Sequence, residues 1–440
     1  MEYSGQLEIE GDFYDFVLKD YRLYVISKKN CYISNKTLNS IIENGWVTLQ
    51  DREKNLLLIK IAEVHYKFPY ERFFDVQAYI IRYNRAQTDN ELTCNELILK
   101  SDVLDYFFKE DKCFWETAVY LLNEWVSNDN KIVKPQERQT LKLDLEGKSI
   151  EVQFKTMIQR DNTPFPFSIR NCMVVSGEEL NRKETIWEVV QMVMLFLEFI
   201  SQSSHINFVN PIIMSSGMNI NEADTYMYIC PDEKANIERE RVFDYKDIEP
   251  VIGKLLMAIH DDTINFRSLF ISNYEKITYS DIINVCAAFE FQFDKKNQKE
   301  FLYNEQRRIR RKMVKLLQSK RESEFDEEEL PIFDEIIEGF GRYKDTLQKR
   351  IEKALEEFID IYGSEDIKID FEEDFLNMPK RIKDSRNALD HGNYQYKLQR
   401  IMYYDSELLR AIVYMLILKT VGLEDKVRLK HLLKKMSRYI

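Results

Sequence analysis

The segment KDSRNALDHGNY at residues 383–394 sets Arg386, Asn387 and His391 at the end of a predicted helix, immediately before Gly392. Those residue types suit the cleavage of an RNA phosphodiester. That reaction needs a group to move protons at the 2'-hydroxyl or the leaving oxygen, and a cation for the charge growing on the phosphorane. An imidazole supplies the first. An arginine, whose fork of donors matches phosphate oxygens, supplies the second. The pair requires no metal. Arg386 and His391 stand five residues apart, about 140° around an ideal helix, so they do not share one face of a straight helix. If His391 is the last helical residue, its ring can swing toward the helix end while the longer Arg386 reaches round to the same space. A helix C-terminus also favours the protonated imidazole.

An arginine and a histidine at this spacing also arise by chance, and the plain alternative is a solvated Arg386 and a packing His391. Three features favour chemistry. The chain holds only five histidines; Asn387 follows Arg386 directly; and the motif helix precedes a further long apolar helix. Glu290, in INVCAAFEFQF, can face the motif from an earlier helix and hold Arg386, although an ordinary surface carboxylate is the commoner outcome for such a residue. The basic run from Lys295 to Arg321 contains Arg307, Arg308, Arg310, Arg311, Lys312 and Lys315. These six are candidates for guiding a phosphate backbone, with a solvated helix face as the equal alternative. His65, His205 and His260 lie in separate contexts with no ligand spacing, so neither a metal centre nor a cofactor is expected. His431, in the tail KVRLKHLLKKMSRYI, reads as part of a capping amphipathic helix. The chain has no GxxxxGK[ST], GxGxxG or GxSxG, which removes the usual nucleotide-dependent and hydrolase readings.

The elements that must position the motif are helical. From about residue 246 the pattern turns to three- and four-residue spacing. One face of the basic helix holds Leu302, Ile309, Met313, Leu316 and Leu317. A long helix is predicted through Ile332, Phe333, Ile336, Ile337, Phe340, Tyr343, Leu347, Ile351, Leu355, Phe358 and Ile359, with Pro331 in its first turn. Helices at 379–391 and 405–421 stop at Gly392 and Gly422. The acidic stretch 322–329 reads as a solvated loop. The second of those helices, with Leu408, Leu409, Ile412, Val413, Leu416 and Ile417, has apolar surface for both a core and an interface.

The first 175 residues read mainly as β. QLEIE, RLYVIS at 22–27 and DVQAYIIRY at 75–83 alternate in polarity. The clearest hairpin is 140–154, where Leu141, Leu143 and Leu145 share a face, Glu146-Gly147-Lys148 turns the chain, and Ile150, Val152 and Phe154 return. Short helices are expected near 37–44 and 114–126, a buried helix at about 184–201, and strand-like runs at 205–209 and 225–230. The predicted architecture is α+β and multidomain. A mainly-β domain, a twisted sheet or sandwich, spans residues 1–240, with 180–240 as an appendage, and an all-α bundle spans 246–440.

Composition sets the background. At 440 residues, with 44% hydrophobic and 31% charged residues, 12 Gly and 9 Pro, the chain can build two or three packed domains and is not a disordered protein. A net charge of −12 gives no global pull on nucleic acid, so any RNA contact must be a local basic surface. Six scattered cysteines without a CxxC pair suit reduced thiols in a cytosol. The acidic opening MEYSGQLEIEGDFYDF does not resemble a signal peptide. IWEVVQMVMLFLEFI at 186–200 is shorter than the roughly 20 apolar residues of a membrane span. Glu188, Gln191 and Glu198 interrupt it, so it reads as a buried helix with one wet stripe.

Arg386-Asn387 followed by His391 resembles the RNxxxH signature of HEPN domains, many of which are metal-independent ribonucleases of toxin and antiviral systems. A β-rich domain ahead of a C-terminal HEPN domain resembles the layout of ApeA-type anti-phage proteins, and SGQLEIEGDF is similar to the start of their N-terminal domain. The sharp part of this likeness is residues 386–391. It implies Arg386 and His391 as the catalytic pair and Asn387 as the polar residue that orients or supports it. It further implies an RNA substrate, a homodimer or higher homo-oligomer formed through the HEPN bundle, and a phage-derived activator sensed by the N-terminal domain. Some HEPN toxins carry Tyr two residues after the histidine; here that position is Asn393, with Tyr394 next. Two functions follow: a cytoplasmic RNA endonuclease effector, or a non-catalytic helical module for dimerisation or binding. They differ in whether Arg386 and His391 converge on an accessible, phosphate-sized cleft.

Overall fold

The computed structural model describes residues 1–27, 34, 41–68, 71–83, 94–109, 140–160, 167–208, 211–214, 225–231, 237–270, 278–297, 303–324, 326, 329–341, 347–367, 375–390 and 401–436. Two compact units emerge, Met1–His260 and Asp261–Ile440.

In the first unit, twelve strands among the described residues join into one antiparallel sheet. Strands β1 (Glu2–Ile9), β2 (Asp12–Lys19) and β3 (Arg22–Ser27) form two tight hairpins. The first turns on Glu10 and Gly11, both with positive φ (52° and 85°), the geometry that matches the strands' own twist. Next come β4 (Trp46–Gln50), β5 (Leu56–Phe68) and β6 (Glu71–Arg82). Strand β6 is the seam of the sheet. One edge carries β5; along the other, residues 71–75 pair with β3 and residues 78–82 with β12. Beyond β5, β4 comes back to β1, where the Arg52 N–H donates to the Ser4 carbonyl at 3.0 Å. The strands therefore curl around a shared core of inward residues that includes Phe16, Val25, Leu57, Phe74 and Ile81. Gly5 sits at the pinch of this curl. A Cβ there would lie 2.7 Å from the Phe16 ring and 2.8 Å from the Gln50 carbonyl, so the close approach requires glycine.

The remaining strands are β7 (Glu96–Lys100), β8 (Leu141–Leu145), β9 (Lys148–Arg160), β10 (Phe167–Ser176), β11 (Ile212–Met214) and β12 (Thr225–Ile229). The 140–154 hairpin forms as its alternation predicts, with the turn tightened to Glu146 and Gly147. Helix α1 (Asp102–Phe107) was not expected; Ser101 caps it by accepting from the Val103 N–H. The run at 205–209 forms no strand over its described residues, 205–208. Residues 41–44 are turn and bridge rather than helix, and the helices expected at 37–40 and 114–126 lie outside the described residues.

Helix α2 (Lys183–Ser201) is the buried helix of the sequence reading. Its stripe is only partly wet. Glu198 is buried, while Glu188 receives Lys148 at 2.8 Å and the His260 ring at 2.9 Å. Burial, the largest influence, pushes the Glu188 carboxyl up, but Lys148 and His260 together hold it below the usual range. Helix α3 (Ile252–His260) packs on α2 and β8. Its apolar residues Ile252, Leu255, Leu256 and Ile259 are buried there, which is why the first unit runs on to residue 260.

The second unit is helical: α4 (Tyr279–Asn297), α5 (Tyr303–Glu324), α6 (Leu330–Gly341), α7 (Leu347–Tyr362), α8 (Met378–Asp390), α9 (Ile401–Thr420) and α10 (Lys426–Lys434). The long helix expected over 332–359 is described as α6 and α7, with 342–346 outside the described residues. Helix α9 is the axis of the bundle, packed by α4, α7, α8 and α10. It stops at Gly422, whose φ of +96° and whose neighbour's bond, Leu423 N–H to the Leu418 carbonyl at 3.0 Å, close a left-handed C-cap. Leu408, Leu409, Ile412, Val413, Leu416 and Ile417 are all 0% exposed in the single chain. The expectation that this helix also offers an interface face is therefore corrected: four neighbouring helices cover it.

Candidate active site

Helix α8 carries the motif, and its sequence explains how it is seated. Met378, Ile382 and Ser385, at spacings of four and three, are buried as one seam. Ser385 returns its hydroxyl to the Arg381 carbonyl at 2.6 Å, with the Met402 sulfur of α9 also in reach at 3.5 Å, so the buried hydroxyl is satisfied. Ion pairs hold both shoulders of the helix. About 60° to one side of the seam, the Arg381 guanidinium makes a bidentate contact to Asp405 of α9 at 2.7 and 2.6 Å. About 80° to the other side, Arg386 reaches Glu290 of α4 at 3.1 Å.

The two clamps differ in setting. Asp405 is 1% exposed, so its pair with Arg381 is sealed and structural. The Arg386 and Glu290 side chains are 33% and 31% exposed. That guanidinium is oriented by a carboxylate and remains a third exposed, a setting that suits a phosphate-binding arginine. Glu290 thus takes the less expected of its two sequence readings. Its spacing gave little sign of this, since the partner lies 96 positions further along the chain. Asn387, about 180° from the buried seam, is exposed on the back of the helix, away from Arg386. His391 lies outside the described residues.

Helix α5 holds the basic run. Arg308, Arg311, Lys312 and Lys315 are exposed along it. Arg307 and Arg310 lie on the same helix, with side chains outside the described set. The packing partner of α5 is α6, joined to it by a bidentate Arg321–Asp334 contact at 2.9 and 2.6 Å.

A further charged cluster, unremarked in the sequence, joins α4, α7 and α9. Glu357 accepts both contacts of the Lys296 ammonium at 2.6 Å and is also bonded by Lys419. Burial raises the Glu357 carboxyl, but the two lysines outweigh it and hold it low; burial, aided by the neighbouring Lys419, holds Lys296 below its usual value despite Glu357. The cluster ties three helices together.

Among the described residues, no helix is long and apolar enough to cross a membrane. Neither a curated protein nor a solved structure matches the chain. Residues 283–427, about a third of the chain, match the family model described as Apea-like HEPN. The matched span runs from the first turns of α4 to the start of α10 and contains Glu290, Arg386, Asn387 and His391. With a β-rich sheet ahead of that span, the order of the two units is similar to the ApeA-type layout, and the helical unit is similar to the Apea-like HEPN family over residues 283–427.

Proposed function

We propose that this protein is a metal-independent RNA endonuclease effector of anti-phage defence, with Arg386 and His391 as its catalytic pair. The HEPN match supports the nuclease and defence family. The observation that carries the finer reading is the Arg386–Glu290 pair: a phosphate-type cation, set by a carboxylate from another helix and a third exposed, inside the matched domain. In the reaction, the 2'-oxygen attacks the adjacent phosphorus and gives its proton to a base. The 5'-oxygen leaves and takes a proton from an acid, producing a 2',3'-cyclic phosphate and a 5'-hydroxyl. His391 moves the protons. Arg386 neutralises the phosphorane oxygens, and Glu290 positions Arg386. Asn387 lends polar support at the motif. Arg307, Arg308, Arg310, Arg311, Lys312 and Lys315 steer the RNA backbone as a local basic strip on an acidic protein. The β-rich domain senses the trigger, a phage-derived activator, and the enzyme works as a homodimer in the cytoplasm.

The competing reading, a non-catalytic helical module, is favoured by the same ion pair seen differently: Glu290 already occupies part of the Arg386 fork. Sequencing RNA ends after brief expression separates the two. Wild type is expected to leave cyclic-phosphate ends that persist in EDTA, and His391→Ala and Arg386→Ala each to lose them while folding normally. Near wild-type cleavage by either folded variant, or 5'-phosphate ends, overturns the assignment.

A further inference from the structure

Helices α5 and α6 form an antiparallel hairpin with apolar side chains on its outside. On α5, Ile309, Met313 and Leu316 are 51%, 43% and 65% exposed; on α6, Ile332 and Ile336 are 63% and 51% exposed. Spacings of four and three on α5, and of four on α6, put each set on one stripe. Neither stripe is the seam between the helices. The seam runs along the half-buried Val314, Leu317 and Arg321 of α5, and along Phe333, Ile337 and the Arg321 partner Asp334 of α6. Viewed from one end of the hairpin, the α5 stripe stands about 105° counter-clockwise of that seam and the α6 stripe about 125° clockwise of it. Both stripes therefore turn to the same side, and the five residues make one face. An apolar face of this kind marks an interaction surface.

The charges on it indicate what it meets. Lys320 stands within the α5 stripe, between Ile309 and Met313 in angle, and Lys312 lies on its outer flank. Asp334 and Glu335 turn to the other side of the hairpin. Among the described residues the face thus carries positive charge alone. A lysine inside an apolar patch is disfavoured at the core of a protein interface. At a lipid surface it is well placed, since its stem lies along the apolar layer while the ammonium reaches the headgroup phosphates. The 12 residues of α6 span about 18 Å and two helices side by side are about 20 Å wide, which gives the face about 400 Å². Lys320 is the one hydrogen-bonding side chain within it among the described residues, whereas a protein partner makes about one hydrogen bond per 100–200 Å². An apolar, directionless face with lysines in and beside it suits a fluid, negatively charged layer.

We infer that the α5–α6 face docks on an anionic bilayer surface, with its five apolar side chains at the boundary of headgroups and acyl chains and with Lys312 and Lys320 on lipid phosphates. The two helices lie in the plane of that surface and do not cross it. The chain as a whole carries −12, which such a surface repels, so the apolar face and its lysines are needed together and docking is reversible. Arg311, about 190° round from the stripe, faces away from the bilayer. Docking does not depend on the nuclease reading, and RNA cleavage is not its readout.

The test is co-sedimentation of the full chain with vesicles of phosphatidylcholine, alone or with about 30% phosphatidylglycerol, with thermal melting to confirm folding. Wild type is expected to bind the anionic vesicles at least about 10-fold more tightly than the neutral ones. Lys320→Gln lowers that affinity by about 5-fold, the share of one charge near an anionic surface. Leu316→Asp and Ile336→Asp each lose at least about 10-fold with an unchanged melt. Met313→Trp, whose indole suits the headgroup layer, binds more tightly, and its emission shifts to the blue when anionic vesicles are added. A wild type that stays in the supernatant overturns the inference; if its sedimenting mass then falls on Leu316→Asp, a second copy covers the face instead. Vesicle binding that Leu316→Asp leaves intact overturns it too, and displacement of that binding by added RNA would place the attraction in the basic run.

Discussion

Helix α9 and the α5–α6 hairpin carry similar apolar stripes and meet opposite ends. The stripe of α9 disappears beneath four neighbouring helices, and even its charged residues Asp405, Glu407 and Arg410 are no more than 2% exposed. The stripe of α5 and α6 stays in water apart from the seam between the two helices. Hydrophobic periodicity therefore reports that a surface will be covered without saying by what. The difference lies in the number of partners the topology supplies. Helix α9 sits at the axis of the bundle, whereas α5 has α6 as its packing partner.

The largest effect should come from the sealed side. Asp405→Ala leaves the Arg381 guanidinium facing a buried gap and is expected to cost about 3–5 kcal/mol, by the logic of breaking a buried pair from one side. Because that clamp seats the motif helix, cleavage should fall with stability in a urea titration and an RNA assay run on the same sample. An Asp405→Ala protein as stable as wild type would mean that α9 is less sealed than its burial implies. Leu409→Ala, deeper on the same helix, should cost about 2–5 kcal/mol through the cavity it leaves.

Glu290→Gln sharpens the contrast from the open side. With its partner a third exposed, the change should move stability by at most about 1 kcal/mol. Cleavage should drop by about 10–100-fold as Arg386 loses its orientation. A restrained Arg386 with no catalytic duty would show the small stability change alone.

The pH dependence should be smaller. Glu357 is held below its ordinary value of 4.5 by Lys296 and Lys419. A carboxyl depressed in the folded state adds stability that is complete above the unfolded value and lost as pH falls through the folded one. Acid melting below about pH 4.5 should therefore be shallower in Glu357→Gln than in wild type. The gain is partly offset at neutral pH, because burial holds Lys296 below its usual range and its charge is carried at a cost. The smallest change belongs to Leu316→Ala, within about 0.5 kcal/mol for the monomer. A loss there as large as that of Leu409→Ala would show that the α5–α6 face is covered within one chain.

Much of this was legible in the sequence. The β3 strand at 22–27, the 140–154 hairpin, the helix at 183–201 and the stop at Gly422 all follow from local rules: alternation, turn residues, three-four spacing and a glycine cap. What escaped depends on tertiary partners. Residues 205–208 alternate like a strand but find no ladder to join. Helix α3 has the spacing of any bundle helix, and only its packing on α2 and β8 assigns it to the first unit. At the candidate site, Arg386 was readable from its neighbours in sequence. The distinction between the sealed Asp405 and the open Glu290 was not, because both are ordinary acidic residues until their helices meet.

The seam at β6 bears on how the protein is made. Strand β6, at Glu71–Arg82, finds its partner β12 at Thr225–Ile229, roughly 150 residues later. On a ribosome adding about 5–20 residues per second, β6 waits about 7–30 s for that partner to be synthesised, with its second edge half open meanwhile. By then translation has nearly reached α3, and the helices that carry Arg386 are still unwritten. The order of the chain thus lets the β-rich unit close before the helical unit begins to fold, so each newly made helical unit emerges behind a completed N-terminal one.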